Sequence, residues 1–199
     1  MRSALIWAAL AAALVIPPIV AAQSPQLQWR EPIYIAAGFA GVVGLVLLPL
    51  QALLIAGAVP GVRGRRVHAW VGAALVLAVV LHIACLWITS PPDVIDVLLL
   101  RSPTPFAIWG VAAMWAAFAA ALLALVRKRM RPRIWRGCHA TAAATVVLGT
   151  VIHAWLIEGT MGTLSKGAIC LLALLALGYA LRPRKGWRRI TPRSLRADR

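Results

Sequence analysis

The segment 65–89, RRVHAWVGAALVLAVVLHIACLWIT, decides the fold of this chain, because it has the length and apolar character of a membrane-spanning helix and carries two histidines. The segment 133–153, RIWRGCHATAAATVVLGTVIH, repeats that pattern. Within each segment the histidines are fourteen residues apart, and the four are His68, His82, His139 and His153. Fourteen residues make four helical turns to within about 40°, so the histidines of a segment share one helix face and lie roughly 21 Å apart along its axis.

The composition places both segments in a membrane protein. The 199 residues are 62% hydrophobic and 13% charged, which excludes an ordinary water-soluble domain. Six apolar segments are each near the twenty residues that a bilayer core requires. They cover about 3–22, 32–58, 67–89, 105–126, 137–157 and 161–181. The sequence therefore predicts an all-α, polytopic bundle of six transmembrane helices, with no G-x-G-x-x-G nucleotide-binding domain.

The first apolar segment has a second interpretation. It has one arginine and ends in Val20-Ala21-Ala22, which resembles the cleavage site of a signal peptide. We favour a retained helix because the segment is long for a signal sequence, and five spans would remain if it were cleaved. The predicted organisation is a first apolar segment with an outer loop (1–31), a helical bundle (32–181) and a basic tail (182–199).

The net charge of +16 is distributed as a topology signal. All but three of the 21 lysine and arginine residues lie in the N-terminus, the tail and the loops that follow the second and fourth spans. The exceptions are Arg30, Arg101 and Lys166. The positive-inside rule then predicts cytoplasmic termini in a bacterial-type inner (plasma) membrane. The charges form no basic face that indicates nucleic-acid binding, and the tail is expected to lie on anionic lipid or to dock an acidic cytosolic reductase.

The topology predicts which histidines meet. The third and fifth spans run in the same direction, so His68 lies at the depth of His139 and His82 at the depth of His153. We call these the inner pair and the outer pair. Histidines inside a membrane are costly and usually functional, although structural hydrogen bonding is the alternative. Two imidazoles do not complete a zinc site, whereas an iron porphyrin takes only two axial ligands from the protein. The pattern predicts two stacked hemes.

Residues around the histidines fit a large planar ligand. One turn from each histidine the residue is small, and Gly72 and Gly149 are expected to give a porphyrin clearance. Anionic propionates would be met on the inner side by Arg63, Arg65, Arg66 and Arg136, and on the outer side by Arg101, Lys166 or Arg30, although these cations are equally explained as topology signals.

Four short motifs resemble the ferric reductase-like transmembrane family. They are RRVHAWVG at 65–72, LHI at 81–83, RIWRGCH at 133–139 and VIH at 151–153. The resemblance spans roughly the second to sixth helices. It implies two b-type hemes with His68, His82, His139 and His153 as the iron ligands. Both hemes would be non-covalent, since the chain has no C-x-x-C-H. Because this chain lacks the flavin- and nicotinamide-binding domain of the larger members, a flavin would come only through a partner.

The expected function is transmembrane electron transfer, as the heme-binding subunit of an oxidoreductase. The donor would be a cytoplasmic flavoprotein or a membrane quinol, and the acceptor an outer-face redox partner. Two alternatives stay open: a non-redox transporter or assembly factor, and a single-heme, quinol-linked cytochrome subunit. A transporter is disfavoured because no charged residue lies near mid-membrane to mark a substrate path.

Overall fold

The computed structural model describes residues 2–182, which form seven α-helices and, within that range, no strands. The helices are α1 (Arg2–Ala22), α2 (Pro32–Ile55), α3 (Gly64–Thr89), α4 (Pro91–Leu98), α5 (Ala107–Val126), α6 (Pro132–Leu156) and α7 (Thr163–Leu181). All except α4 are long and apolar enough to cross a membrane. The predicted six-span bundle is confirmed, and the chain is a multi-pass membrane protein. The predicted basic tail lies outside the described residues, apart from Arg182.

Prolines and glycines mark the helix ends. Pro32, Pro91 and Pro132 each stand first in a helix, where the missing N–H has no intrahelical partner to lose. At the end of α2, Gly57 adopts a left-handed conformation with φ of 67°. Its N–H donates to the Leu54 carbonyl, and the next N–H donates to the Leu53 carbonyl. These two bonds form a Schellman motif, which satisfies carbonyls that the helix leaves open.

The prolines inside helices do not end them. Helix α1 continues through Pro17 and Pro18, and α2 continues through Pro49. The second span ends at Ile55, six residues after Pro49 and three residues before the predicted end near residue 58. Proline is tolerated within membrane-spanning helices because neighbouring groups and small backbone adjustments satisfy the freed carbonyl.

Two other boundaries differ from the sequence prediction. Helices α3 and α6 begin at residues 64 and 132, several residues before the apolar segments do, because arginine is compatible with helix even where it ends a hydrophobic run. No apolar segment predicted a helix between residues 89 and 105, but α4 lies there. It begins at Pro91 and Pro92, and Asp93 in its first turn accepts a 2.6 Å hydrogen bond from the Ser90 hydroxyl.

The bundle is built from two helical hairpins. Helix α2 packs along α3, and α5 packs along α6, while α7 contacts α2 and α6 and joins the hairpins. Helix α1 packs on α2 and α7. Helices α3 and α6 face each other but do not pack closely together. The core lies mainly where α2 meets α7, around Val42, Leu45, Ile169 and Ala173. Large apolar side chains such as Leu125 and Leu164 are exposed on the outside, as a lipid-facing surface requires.

Candidate heme-binding site

The four histidines form two pairs between α3 and α6. In the inner pair the ring centres of His68 and His139 are 6.4 Å apart, and their planes are inclined at 68°. In the outer pair the ring centres of His82 and His153 are 6.5 Å apart, with planes at 84°. Because both matched pairs form at once, α3 and α6 run in the same direction. Both helices are unbroken between their two histidines, so the pairs are separated by roughly 21 Å along the bundle.

The spacing within each pair suits one metal ion between the rings. A bond from a metal to an imidazole nitrogen is about 2 Å long, so two imidazoles on opposite sides of one ion have ring centres roughly 6 Å apart. Both observed separations are close to that value. The described residues contain no group of three or more His, Cys, Asp or Glu that could hold a metal ion. Since no third side chain of these types joins a pair, each pair offers only its two imidazole nitrogens to a metal. Two is the number of axial ligands that a heme iron takes from the protein.

Hydrogen bonds to backbone carbonyls set the orientation of three of the rings. The Nδ1–H of His68 donates to the Gln51 carbonyl in α2 at 3.1 Å. The Nδ1–H of His82 donates to the Ala37 carbonyl, also in α2, at 2.7 Å. The Nδ1–H of His153 donates to the Phe106 carbonyl at the start of α5, at 2.9 Å.

These bonds determine the tautomer. A carbonyl oxygen can only accept, so the hydrogen of each neutral ring is on Nδ1 and the lone pair is on Nε2. Metal-binding histidines commonly have this arrangement, in which an outer hydrogen bond fixes the ring and makes the ligating nitrogen more basic. In their neutral form, the three rings thus present Nε2 as the nitrogen that can bind a metal.

His139 is held differently. Its Nδ1 is buried, and although the Ala120 carbonyl interacts with the ring, it makes no hydrogen bond of normal geometry with the described residues. The ring instead stacks on the indole of Trp135, with ring centres 5.1 Å apart and planes inclined at 15°. The inner pair consequently has one ring fixed by a carbonyl and one fixed by an aromatic contact.

Two glycines that the sequence analysis did not select bring the outer histidines close to their carbonyls. A Cβ atom on Gly110 would lie 2.7 Å from Nδ1 of His153, and one on Gly41 would lie 3.3 Å from Nδ1 of His82. Each glycine comes four residues after the carbonyl that its histidine uses, so it lies one turn along the same helix face. The only sequence signal was glycine in a helix interior, which cannot be interpreted until the neighbouring helix is known.

The two glycines that were selected have packing contacts. A Cβ on Gly149 would lie 3.0 Å from the Trp109 carbonyl oxygen and 3.1 Å from Cβ of Ala113, so Gly149 allows α6 to approach α5. A Cβ on Gly72 would lie 2.9 Å from Nε2 of Gln51, which is the end of a flexible side chain. Whether either glycine also contacts a porphyrin stays a prediction.

Two of the three outer cations proposed for propionates, Lys166 and Arg30, already have other contacts. Lys166 is only 8% exposed, and its ammonium donates to the carbonyls of Ile157 at 2.9 Å and Trp155 at 3.3 Å. It therefore caps the C-terminal end of α6. Arg30 lies over the ring of Tyr34, with its guanidinium carbon 5.0 Å from the ring centre.

A groove of about 660 Å³ runs along the outside of α5 and α6, lined by residues that include Trp115, Leu123, Arg133 and Cys138. None of the four histidines lines it. The groove is open and shallow, so the space between α3 and α6, where the imidazoles meet, is the stronger candidate site.

Comparison with known proteins gives one informative result. Residues 40–150 match the family described as ferric reductase like transmembrane component. The matched range covers more than half of the chain, includes His68, His82 and His139, and ends three residues before His153. Neither the curated proteins nor the solved structures provide a match.

Proposed function

This chain belongs to the ferric reductase-like transmembrane family, and from that premise we propose that it is a membrane cytochrome b that carries single electrons across a membrane through two b-type hemes. Membership of the family indicates transmembrane electron transfer. The number of hemes and their ligands rest on the histidine geometry: His68 and His139 bind the inner heme iron, and His82 and His153 bind the outer one.

One observation carries this proposal. Two histidine pairs at the same spacing, 6.4 and 6.5 Å, connect α3 to α6, two helices that otherwise do not pack closely. Structural histidines would be expected to use their hydrogen-bonding capacity within the bundle. Here the Nδ1–H groups of three rings are used on the flanking helices, which leaves Nε2 as the nitrogen that can bind a metal.

The residues of the chain would bind the hemes, orient the imidazole ligands and insulate the space between the helices. A heme, when bound, supplies a centre that gains and loses one electron reversibly. The carbonyls of Gln51, Ala37 and Phe106 hold three imidazoles in a fixed tautomer and direction. The apolar side chains of the six spans exclude water and ions from the space between the helices, so that charge does not leak along another path.

The distribution of basic residues supports one orientation of the bundle in the membrane. Most of the described basic residues lie in the loops joining α2 to α3 and α5 to α6 and in the first turns of α3 and α6. By the positive-inside rule, this distribution supports an inner pair near the cytoplasmic surface of a bacterial-type inner membrane, with both termini inside. The donor is then a separate cytoplasmic flavoprotein or a membrane quinol. The acceptor is an outer-face redox protein, ferric iron or oxygen.

Single replacements of the outer histidines test the ligand assignment. In His153→Ala and in His82→Ala, the outer heme should be lost while the inner heme is retained, because the two pairs share no ligand. The measurement is the heme content of each purified variant, with Gly44→Ala as the matched control because a side chain there meets nothing within 4 Å. Two hemes in both histidine variants would disprove the assignment.

A further inference from the structure

The inner pair contains an asymmetry that the proposed ligand roles do not explain. Three of the four histidines donate an Nδ1 hydrogen bond of normal geometry to a backbone carbonyl, whereas the contact of His139 with the Ala120 carbonyl falls short of that geometry. A ligand imidazole without such a bond is free to rotate about its side-chain bonds, and imidazole orientation affects both affinity and electronic properties of a bound metal. The Ala120 carbonyl alone therefore holds the ring of His139 less firmly than the other three rings are held.

Trp135 supplies a second contact to this ring, and it is itself fixed. Trp135 and His139 are four residues apart on α6, so their side chains lie on the same helix face. The indole and imidazole planes are within 15° of parallel. The indole Nε1–H donates a 2.7 Å hydrogen bond to the Leu123 carbonyl in α5. The guanidinium carbon of Arg127 also lies over the indole, 5.6 Å from its ring centre.

These contacts connect two helices and the basic loop to one imidazole. The hydrogen bond to Leu123 ties the indole to α5, the same helix that holds His153 through Phe106. The cation–π contact ties it to the basic segment that follows α5. The stack then transmits the position of the indole to the ring of His139. Trp135 therefore has a different environment from Trp70, which lies two residues after His68 in α3 and is 71% exposed.

We propose that Trp135 is the positioning residue of the inner heme site: its indole adds to the weak contact with the Ala120 carbonyl and holds His139 in the plane in which it binds iron. This inference rests on the proposed function, since it assigns a role beside an iron ligand. It is separate from the topology role of the basic loop, because it depends on the aromatic face of Trp135.

Two replacements of Trp135 distinguish positioning from simple packing. Trp135→Leu keeps an apolar side chain but removes the aromatic face, whereas Trp135→Phe keeps a smaller aromatic face and removes the N–H. We expect the leucine variant to bind the inner heme roughly tenfold to a hundredfold more weakly, which is the usual cost of losing a group that orients a metal ligand. The phenylalanine variant should largely retain the wild-type behaviour. Trp70→Leu, which removes an exposed tryptophan close to the inner pair on α3, is the matched control.

The spectroscopic measurement is low-temperature electron paramagnetic resonance of the oxidised protein. The signal of a heme with two imidazole ligands depends on the relative orientation of the rings, and a His153→Ala background isolates the inner signal. Trp135→Leu should shift this signal, and Trp135→Phe and Trp70→Leu should leave it in place. An unshifted inner signal and unchanged heme affinity in Trp135→Leu would overturn the proposal.

A measurement on heme-free protein separates this inference from the proposed function. In nuclear magnetic resonance spectra of histidine-labelled protein, the indole ring current should shift the His139 ring protons upfield. That shift should disappear in Trp135→Leu and persist in Trp135→Phe. Protein that never binds heme but shows the shift would defeat the heme proposal and keep the stack. Heme-binding protein without the shift would defeat the role of Trp135 alone.

Discussion

At the scale of single residues, the carbonyl partners of the histidines explain why two glycines lie beside the outer pair. A carbonyl within a helix normally accepts from the N–H four residues later, and the side chain at that later position lies next to it. With glycine at residues 41 and 110, an imidazole can reach the Ala37 and Phe106 carbonyls from the side. The outer pair therefore depends on the absence of a side chain at Gly41 and Gly110 as well as on the two histidines.

Substitution of these glycines should have graded effects. In Gly110→Ala the new Cβ would be 2.7 Å from His153 Nδ1, so the ring has to move and its hydrogen bond to Phe106 is lost. Outer-heme affinity should fall roughly tenfold or more. Gly41→Ala, with a 3.3 Å approach, should lose less, and Gly44→Ala nothing. Alanine favours helix over glycine, so a lower helix propensity does not explain a loss of heme affinity. Equal heme affinity in Gly110→Ala and Gly44→Ala would contradict this account.

The fourteen-residue spacing was sufficient to predict the histidine pairs, but not what holds them. The spacing fixes which side chains share a helix face, and the basic loops fix which helices are parallel. The acceptors at Ala37, Gln51 and Phe106 are backbone atoms on other helices, and the sequence carries no mark of them. For His139 the neighbour Trp135 was visible four residues away, although its stacking and its bond to Leu123 were not.

At the scale of helices, the apolar runs predicted the six spans well and their ends less well. Hydropathy shows which residues can lie in the apolar part of a membrane, not where a helix begins. It therefore did not predict the arginine-rich first turns of α3 and α6. It also missed α4, which is too short to span. The signals for α4 were present as Ser90, two prolines and Asp93, but a search for transmembrane segments does not use them.

The C-terminal end of α6 offers a test of element stability. The Lys166 ammonium donates to two carbonyls there, and hydrogen bonds to a charged group contribute about 1.5–3 kcal/mol each. Lys166→Met removes both, so the protein in detergent should unfold at a clearly lower temperature. The control is Lys128→Met, since Lys128 is exposed. If the two variants unfold at the same temperature, Lys166 does not stabilise the end of α6.

At the scale of the whole molecule, two hairpins face each other across the histidine pairs, and under the proposed function these pairs form a path for electrons between the two membrane surfaces. Neither hairpin contains a complete site: α2 and α3 supply one imidazole of each pair with its carbonyl, and α5 and α6 supply the other. Joining the hairpins through α7 thus fixes both sites together. We expect heme binding and correct association of the hairpins to be linked.

The orientation of the bundle can be tested with single cysteines. In a background lacking Cys85, Cys138 and Cys170, a cysteine replacing exposed Asp96 in α4 should react with a membrane-impermeant thiol reagent added to intact cells. A cysteine replacing Lys128 should react only after the membrane is opened. The reverse pattern would place the basic loops outside and invert the proposed direction of electron transfer.

The most direct test of the central claim is the heme content of the purified full-length protein from heme-replete cells, read together with its reduced-minus-oxidised spectrum. Four histidines in two pairs predict two b-type hemes per chain. One heme per chain would leave a single-heme subunit, and a colourless protein would contradict the claim that these pairs bind iron.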